Sequence, residues 1–252
     1  IYANTAVSLA FAANNKLTTD YKVLCHLHEL GYSIDTLVGK EAFTAAVSHA
    51  ITFVCVAQVV KKNLIEHYGV EERRTIVIPE PIQIVAQSFS GGLKREIGIS
   101  EDAFVVMGAG TTGWRKGPDL FLMTAFLVNR IRPGIHFIWV GPLNGQRKVM
   151  FDHDIEKLNL KGLVHFVGSQ SNPLEYFAMS DVFYLTSRED PYPLVCLEAA
   201  SVGKPIICFA DAGGMPEFVR EDGGFVVPYL DLEAASRFIL MLKDNTALRQ
   251  RC

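Results

Sequence analysis

The chain has 252 residues, of which 49% are hydrophobic and 20% are charged, so it can bury the core of one or two globular domains. A net charge of −3 gives no reason to expect a nucleic-acid partner, which a basic surface usually marks. No apolar stretch reaches the roughly 20 residues of a membrane-spanning helix, and no secretion signal is visible.

Short apolar runs alternate with helical patterns along most of the chain. This alternation is typical of βαβ units, and the predicted fold class is α/β with parallel sheets. Several runs consist almost entirely of Val, Ile and Phe, as expected of strands covered on both faces. The predicted strands span residues 22–28, 51–57, 75–79, 103–108, 135–141, 164–168, 182–187, 205–209 and 224–228. The predicted helices span residues 116–131, 149–158, 173–179, 194–202 and 232–242.

One segment, residues 79–98, interrupts this alternation. Two prolines enforce an extended backbone there and a Gly-Gly pair loosens it, so the segment is predicted to connect two domains, residues 1–88 and 89–252. The first domain has three clear strand patterns, whereas an open α/β sheet usually has about five or six strands. The chain also begins at Ile1 without an initiator methionine. We therefore expect the first domain to be incomplete and the chain to be a fragment.

Residues 103–119, AFVVMGAGTTGWRKGPD, combine an apolar strand, a glycine-bearing loop, a basic pair and the start of a helix. A loop at the carboxyl end of a parallel strand can bind phosphate through its backbone amides, and Gly108 and Gly110 let that backbone come close. Arg115 and Lys116 would add positive charge toward a diphosphate. The alternative is an ordinary strand-to-helix turn with a solvated basic pair. The glycine spacing matches neither the dinucleotide-binding motif nor the P-loop, which disfavours both interpretations.

Residues 187–200, SREDPYPLVCLEAA, place acidic side chains around the start of an apolar helix. Proline is tolerated in the first turn of a helix, and the free main-chain amides at such a start favour an anion. Asp190 precedes this start and Glu198 lies about one turn inside it, where a carboxylate can accept two hydrogen bonds from a ribose diol. The alternative is that Asp190 caps the helix and Glu198 lies on its exposed face. The predicted anion site consists of Tyr192, Pro193, Leu194 and Val195.

The acidic stretch and the glycines that follow it resemble a known family. Asp190, seven further residues and Glu198 are followed by Gly-Lys-Pro at 203–205 and by Gly213-Gly214-x-Pro-Glu. This pattern is similar to the donor half of retaining glycosyltransferases of the GT-B fold, and most similar to glycosyltransferase family 4, the group 1 family. Asp190 stands where an acidic Glu is commoner in that family. The resemblance implies two Rossmann-like α/β/α domains with parallel sheets, the first domain being partial and facing the acceptor and the second binding the donor.

The resemblance also implies an activity. A hexose would move from a UDP- or GDP-sugar to a saccharide or lipid-linked acceptor, with retention of configuration and without a bound metal or other cofactor, as in polysaccharide biosynthesis. The protein would work in the cytoplasm, or peripherally bound at the inner face of the membrane. Two alternatives from other classes stay open: a sugar-nucleotide epimerase of similar architecture, and a fragment that binds the nucleotide without transferring sugar.

Individual roles follow from the same resemblance. Lys116, helped by Arg115, would bind the diphosphate of the donor, and Glu198 its ribose. Asp190 would bind the hexose. The remaining implied positions are the nucleobase-binding main chain at Ser169 and Gln170, the loop at Gly213 and Gly214 near the donor sugar, and His28 near the transferred sugar or acceptor.

Several other residues have a plainer interpretation. Asp152 and Asp154 match a metal-binding Asp-x-Asp pattern, but in a helix they would point to different sides. His26 and His28 share one face of a strand, yet no third metal ligand is evident. The five cysteines are widely spaced, which predicts reduced thiols in a cytoplasmic protein. We expect Cys25 and Cys196 to be inert core thiols and Trp114 and Trp139 to be packing residues, while Glu217 either orients a donor loop or simply lies in a first helical turn.

Overall fold

The computed structural model describes residues 1–83, 91–220 and 222–252. Its described part falls into two compact units. The first unit contains Ile1–Pro81, Glu189–Pro193 and Gly213–Met215, and the second contains Ile82–Arg188, Leu194–Ala212 and Pro216–Cys252. The predicted domain boundary between residues 88 and 89 lies outside the described residues. No described helix is long and apolar enough to span a lipid bilayer.

The first unit is built on a parallel sheet of four described strands in the order β1-β2-β3-β4. Its strands are β1 (Tyr2–Ala3), β2 (Leu24–Leu27), β3 (Thr52–Cys55) and β4 (Thr75–Val77). Its helices are α1 (Ala6–Asn14), α2 (Gly31–Leu37), α3 (Lys40–Ala46) and α4 (Gln58–Tyr68). Side chains of the sheet and the helices form the core of this unit, in which Leu27, Phe43 and Phe53 are fully buried. The sequence predicted three of the four strands, because β1 has only two residues and so shows no periodicity.

The second unit is built on a parallel sheet of six described strands in the order β10-β9-β8-β5-β6-β7. Its strands are β5 (Val105–Ala109), β6 (His136–Val140), β7 (Val164–Gly168), β8 (Val182–Leu185), β9 (Ile206–Phe209) and β10 (Gly224–Val227). Its helices are α5 (Leu93–Glu96), α6 (Pro118–Ile131), α7 (Gly145–Lys157), α8 (Pro173–Met179), α9 (Leu194–Ser201), α10 (Met215–Val219), α11 (Leu232–Asp244) and α12 (Thr246–Arg251).

The strand order of this second sheet reverses next to β5. The chain runs from β5 outward through β6 and β7, and then returns to the other side of β5 with β8. The loops after β5 and β8 therefore leave neighbouring strands at the same edge of the sheet and lead away from each other. In doubly wound sheets, ligands bind in the crevice that such a reversal opens at the carboxyl edge.

Aromatic packing explains the glycine near the carboxyl end of the interior strand β5. A Cβ atom at Gly108 would lie 2.8 Å from the ring of Trp139 and 2.9 Å from that of Phe121. Both rings are buried in the core of the second unit, and they meet edge to face at 5.3 Å. Trp139 is thus the packing residue that the sequence predicted. Gly108 was predicted to let the backbone approach a phosphate; the structure shows that a side chain at this position would also collide with two core rings.

Candidate active site

The loop after β5, residues 110–117, is called here the basic loop. It contains a turn of 3₁₀ helix from Trp114 to Lys116. Three consecutive carbonyls of this turn accept hydrogen bonds from the segment that follows β8. Arg188 donates to two of them, from Nη1 to Trp114 O at 2.8 Å and from its backbone N to Arg115 O at 2.7 Å. The hydroxyl of Thr186 donates to Lys116 O at 2.9 Å. The main chain of the turn is therefore hydrogen-bonded to this segment at three consecutive carbonyls.

Gly117 closes the basic loop at a point where no side chain fits. Its φ angle is 67°, in the left-handed region, and a Cβ atom there would lie 2.2 Å from the carbonyl oxygen of Thr186. The next residue, Pro118, starts α6, which suits a residue without an N–H at the first helical position. The glycine therefore lets the loop pass close to the strand-end segment before the helix begins.

The two basic side chains of the loop are only partly exposed. The aliphatic part of Lys116 lies across Gly110, since a Cβ atom at Gly110 would be 3.1 Å from Lys116 Cδ. Gly110 thus accommodates the lysine side chain, and its own carbonyl accepts a hydrogen bond from Trp139 Nε1 at 3.0 Å. The backbone that carries Arg115 and Lys116 is consequently held from two directions.

The side chain of Arg188 makes a bidentate ion pair with Asp119, with Nη1–Oδ1 and Nη2–Oδ2 distances of 2.9 and 2.6 Å. Burial alone would raise the pKa of the Asp119 carboxyl, but the hydrogen bonds and charge of Arg188 outweigh it, so this pKa lies below its usual value. The guanidinium also lies 5.1 Å from the centre of the Trp114 ring. Trp114, predicted to be a packing residue, is 53% exposed and packs its ring against this guanidinium.

Helix α9 carries Glu198 between buried neighbours. Its residues Cys196, Leu197 and Ala199 are buried, whereas Glu198 is half-buried. Burial raises the pKa of the Glu198 carboxyl, and none of the described side chains donates a hydrogen bond to it. The helix begins at Leu194, so Pro193 precedes it by one residue instead of occupying its first turn. Glu198 is thus neither a fully solvated residue nor a buried and paired one.

The segment Glu189–Pro193 groups with the first unit. Asp190 is 6% exposed and forms a parallel bridge with Gly213. A Cβ atom at Gly213, whose φ is 154°, would lie 1.6 Å from the carbonyl oxygen of Asp190. Gly214 donates from its backbone N to Pro191 O at 3.0 Å. The two glycines that the sequence placed near a donor sugar therefore have a close backbone partner in the acidic stretch.

Glu189 has a role that the sequence did not suggest. Its carboxylate accepts hydrogen bonds from the backbone N of Tyr32 at 2.8 Å and of Ser33 at 3.0 Å, and from the Ser33 hydroxyl at 3.0 Å. These donors belong to the first turn of α2, where a carboxylate satisfies otherwise unpaired N–H groups. Glu189 is 157 residues away from Tyr32 in the chain, which is why no local pattern reveals this cap.

His28, predicted near the transferred sugar or acceptor, lies in the first unit just after β2. Its Nδ1 is 3.0 Å from Glu80 Oε1 and its Nε2 is 3.3 Å from Asn4 Oδ1. The ring of His26 is 4.1 Å away, and burial followed by the charge of His28 lowers the pKa of His26. Among the described residues no group of three His, Cys, Asp or Glu side chains is arranged to hold a metal.

The remaining predicted residues have local contacts or lie in the elements predicted for them. Ser169 is exposed after β7, and Gln170 donates from Nε2 to Val167 O at 2.7 Å. Asp152 lies in α7, as predicted, and pairs with Lys148. None of the described cysteines forms a disulfide, and Cys25 and Cys196 are buried as expected; burial raises the pKa of Cys25 to about 12. The exposed Glu217 lies in the first turn of α10.

Comparison with known proteins supports a single family. Residues 92–252 match the profile of the family described as "Glycosyl transferases group 1". A D-inositol 3-phosphate glycosyltransferase of Geodermatophilus obscurus is 28% identical over 173 residues, which cover 64% of this chain and 38% of that protein. The lipopolysaccharide core biosynthesis glycosyltransferase LpsD of Rhizobium meliloti is 30% identical over 152 residues, or 60% of this chain and 42% of LpsD. The chain thus aligns with less than half of each of these relatives.

Solved structures support the fold. The chain matches Anabaena HepE in complex with UDP over its whole length and over 70% of HepE, with a TM-score of 0.86 and 23% identity. HepE in complex with UDP-glucose gives a TM-score of 0.85, also at 23% identity, and 71% of HepE is covered. The α/β architecture with two parallel sheets is therefore the GT-B fold, as the sequence predicted. The chain belongs to the group 1 glycosyltransferases, glycosyltransferase family 4.

Proposed function

We propose that this chain binds a nucleotide-diphosphate sugar at the carboxyl edge of its second sheet and transfers the hexose to an acceptor with retention of configuration. The domains proposed for this are residues 1–88 on the acceptor side and residues 89–252 on the donor side. This proposal is more specific than the family assignment, because the family is described only as glycosyl transferases.

One observation carries the proposal: the basic loop is hydrogen-bonded, carbonyl by carbonyl, to the Thr186–Arg188 segment that leads toward α9. The two loops border the crevice where the strand order reverses, which is where doubly wound sheets bind ligands. The cations of the basic loop and the half-buried carboxylate of Glu198 are therefore carried by the two elements that flank this crevice. A nucleoside diphosphate offers the complementary groups, namely a charged diphosphate and a ribose diol.

The chemistry follows from these groups. Arg115 and Lys116 would neutralise the diphosphate as it leaves the hexose, and stabilisation of such developing charge can be the largest catalytic contribution. The N–H groups at the start of α9 would add to this, as helix starts favour anions. Glu198 would accept hydrogen bonds from the ribose. For Asp190 and His28, which group with the first unit, the proposed partners are the hexose and the acceptor.

The donor proposed first is a UDP-sugar, because HepE, to which this chain is similar, has been solved in complex with UDP and with UDP-glucose. A GDP-sugar is the second candidate. The acceptor is proposed to be a saccharide or lipid-linked molecule, since one relative's name refers to lipopolysaccharide core biosynthesis. We propose action in the reducing cytoplasm, or at the inner face of the membrane, since none of the described cysteines forms a disulfide.

Calorimetry with UDP, GDP and ADP tests this proposal. We expect the chain to bind one of them, and Glu198→Ala to weaken that binding at least tenfold, as the loss of hydrogen bonds to a charged group implies about 1.5–3 kcal/mol. Glu233→Ala, an exposed glutamate in the first turn of α11, is the matched control and should bind like the wild type. Equal affinity of the wild type and Glu198→Ala would remove the ribose contact from the proposal.

A second assay separates the epimerase alternative. Incubation of the chain with a UDP-sugar and no acceptor should leave the sugar's configuration unchanged, whereas an epimerase would convert it. Addition of saccharide acceptors should then release UDP. Conversion without any acceptor would contradict the proposed transferase. Binding of UDP without either reaction would favour the alternative of a binding-only fragment.

A further inference from the structure

The side chain of Arg188 is only 11% exposed, and both terminal nitrogens of its guanidinium have hydrogen-bond partners. Nη1 donates both to Trp114 O and to Asp119 Oδ1, and Nη2 donates to Asp119 Oδ2. The backbone N of Arg188 donates to Arg115 O, and its carbonyl accepts from the Tyr229 hydroxyl at 3.2 Å. A single residue thus contacts two consecutive carbonyls, those of Trp114 and Arg115, in the turn that presents the basic pair.

This geometry requires a guanidinium. Arginine offers five N–H donors in a planar fork, which can bind a carboxylate with two parallel bonds and still donate to a carbonyl and stack on a ring. The ammonium of a lysine is a point charge without that fixed fork. Because Asp119 neutralises Arg188, the arginine is itself already paired and is not one of the cations offered to a ligand.

A second arginine–aspartate pair on the same unit shows what an ordinary pair looks like. Arg132 and Asp244 also form two hydrogen bonds, each 3.2 Å long, but both side chains are 51% exposed. Exposed pairs of this kind contribute little to stability. The Arg132 pair joins the ends of α6 and α11, whereas the Arg188 pair is continuous with the main chain of the basic loop. The two pairs therefore have the same chemistry, but the Arg132 pair connects two helix ends and the Arg188 pair connects to the backbone of the basic loop.

From these contacts we propose that Arg188 is a positioning residue, which sets the backbone of the basic loop so that Arg115 and Lys116 meet the second phosphate of a nucleoside diphosphate. The inference rests on the proposed donor site. The loop carbonyls that Arg188 and Thr186 engage point toward the strand-end segment, so the peptide planes of residues 114–116 cannot rotate without breaking these hydrogen bonds. With Arg188 in place, the basic pair is arranged before the ligand arrives, and no ordering of the loop opposes binding.

A positioning role predicts a selective loss. Removing the arginine should weaken contact with the terminal phosphate of UDP more than contact with the single phosphate of UMP or with the ribose. We therefore expect Arg188→Lys to reduce the ratio of the UMP dissociation constant to the UDP dissociation constant by about tenfold, which is the effect of losing one good charge-assisted hydrogen bond at the ligand. A residue that only supports folding would weaken both ligands alike and leave this ratio unchanged.

Competition titrations of UDP and UMP, on the chain as it stands, test the proposal with three variants of the pair and one control variant. Arg188→Lys and Asp119→Asn break the same pair from its two sides, and both should lower the ratio. The double variant should lower it no further than the more severe single variant, since the residues act as a unit. Arg132→Lys is the matched control and should leave the ratio within about twofold of the wild type. If Arg188→Lys does not fold, Asp119→Asn, whose side chain is 53% exposed, keeps the test available.

The outcomes separate this inference from the function on which it rests. If the wild type binds none of UDP, GDP and ADP, the proposed donor site fails and the positioning role falls with it. If it binds only one of the other two, the same ratio is measured with that diphosphate and its monophosphate. If the wild type binds UDP and both Arg188→Lys and Asp119→Asn keep the wild-type ratio, the donor site stands and the positioning role is overturned. An equal loss of UMP and UDP binding in both variants would also overturn it, because that result describes a general structural role.

Discussion

Two loops at the same edge of the second sheet are held very differently. The basic loop after β5 is fastened by hydrogen bonds to three consecutive carbonyls and by the close approach of Gly117 to Thr186. The loop after β7 contains the exposed Ser169 and the side chain of Gln170, which bonds back to its own strand. We propose that the rigid loop binds the part shared by all donors, the diphosphate, and that the less constrained loop contacts the part that varies, the base.

The most severe way to break the rigid loop is Gly117→Ala. The added methyl group would lie 2.2 Å from Thr186 O, and the φ of 67° is unfavourable for alanine. We expect a loss of stability of about 2–4 kcal/mol, the range for strain that the surroundings cannot relieve, together with loss of UDP binding. Thermal unfolding and calorimetry would measure both effects.

Gly134→Ala is the matched control for that variant. Gly134 also has a positive φ, 91°, but nothing lies within 4 Å of an added Cβ atom. It should therefore cost only the backbone strain, roughly 1 kcal/mol, and leave UDP binding intact. Similar unfolding temperatures for the two variants would mean that the close approach to Thr186 is not a constraint on the loop.

Glu198→Gln sharpens the comparison, because Glu198, the proposed ribose ligand, lies in α9 and in neither of the two loops. We expect uridine, UMP and UDP to lose affinity by a similar factor, on the order of tenfold, in contrast to the selective loss expected for Arg188 variants. A loss confined to UDP would assign Glu198 to the phosphates instead.

The same variant has a signed effect on stability. Burial raises the pKa of Glu198 in the folded protein, so ionisation opposes folding once the pH passes above the unfolded value of about 4.3. Glutamine carries no charge at any pH. Glu198→Gln should therefore unfold at a higher temperature than the wild type at pH 7, and the difference should vanish near pH 4. A variant that is less stable than the wild type at pH 7 would contradict the expected cost of this buried charge.

The smallest effect is expected in the less constrained loop. Gln170→Ala removes one side-chain bond to Val167 O and no bond between loops. Stability should change by about 1 kcal/mol or less, and the affinities for UDP and GDP by less than about threefold each. Calorimetry with both nucleotides would measure this, and a loss of UDP binding as large as that of Gly117→Ala would show that the loops do not differ.

The strands of the second sheet were predictable because parallel strands covered on both faces are continuous apolar runs, as in HFIWV of β6. Helix α1 of the first unit was not. The sequence of α1, AVSLAFAAN, is apolar almost all round and shows no polar face to mark its period. Local patterns thus reveal an element when its burial is periodic or complete and its length is sufficient.

The site was predictable only as far as its chemistry is local. The basic pair and the acidic stretch could be recognised, but the fastening of one to the other could not, since Arg188 and Asp119 are 69 residues apart. Gly108 shows the same limit from the other side. The local sequence suited a phosphate-binding loop. It did not show that the rings of Trp139 in β6 and Phe121 in α6 leave no room for a side chain at position 108.

The central claim is that the fixed basic loop binds the diphosphate through Lys116. Titration of UDP into the wild type, Lys116→Met and Lys157→Met tests it most directly, since Lys157 is an exposed lysine at the far end of α7. We predict that Lys116→Met binds UDP at least tenfold more weakly than the wild type, while Lys157→Met binds it equally well. Wild-type affinity in Lys116→Met would contradict the account.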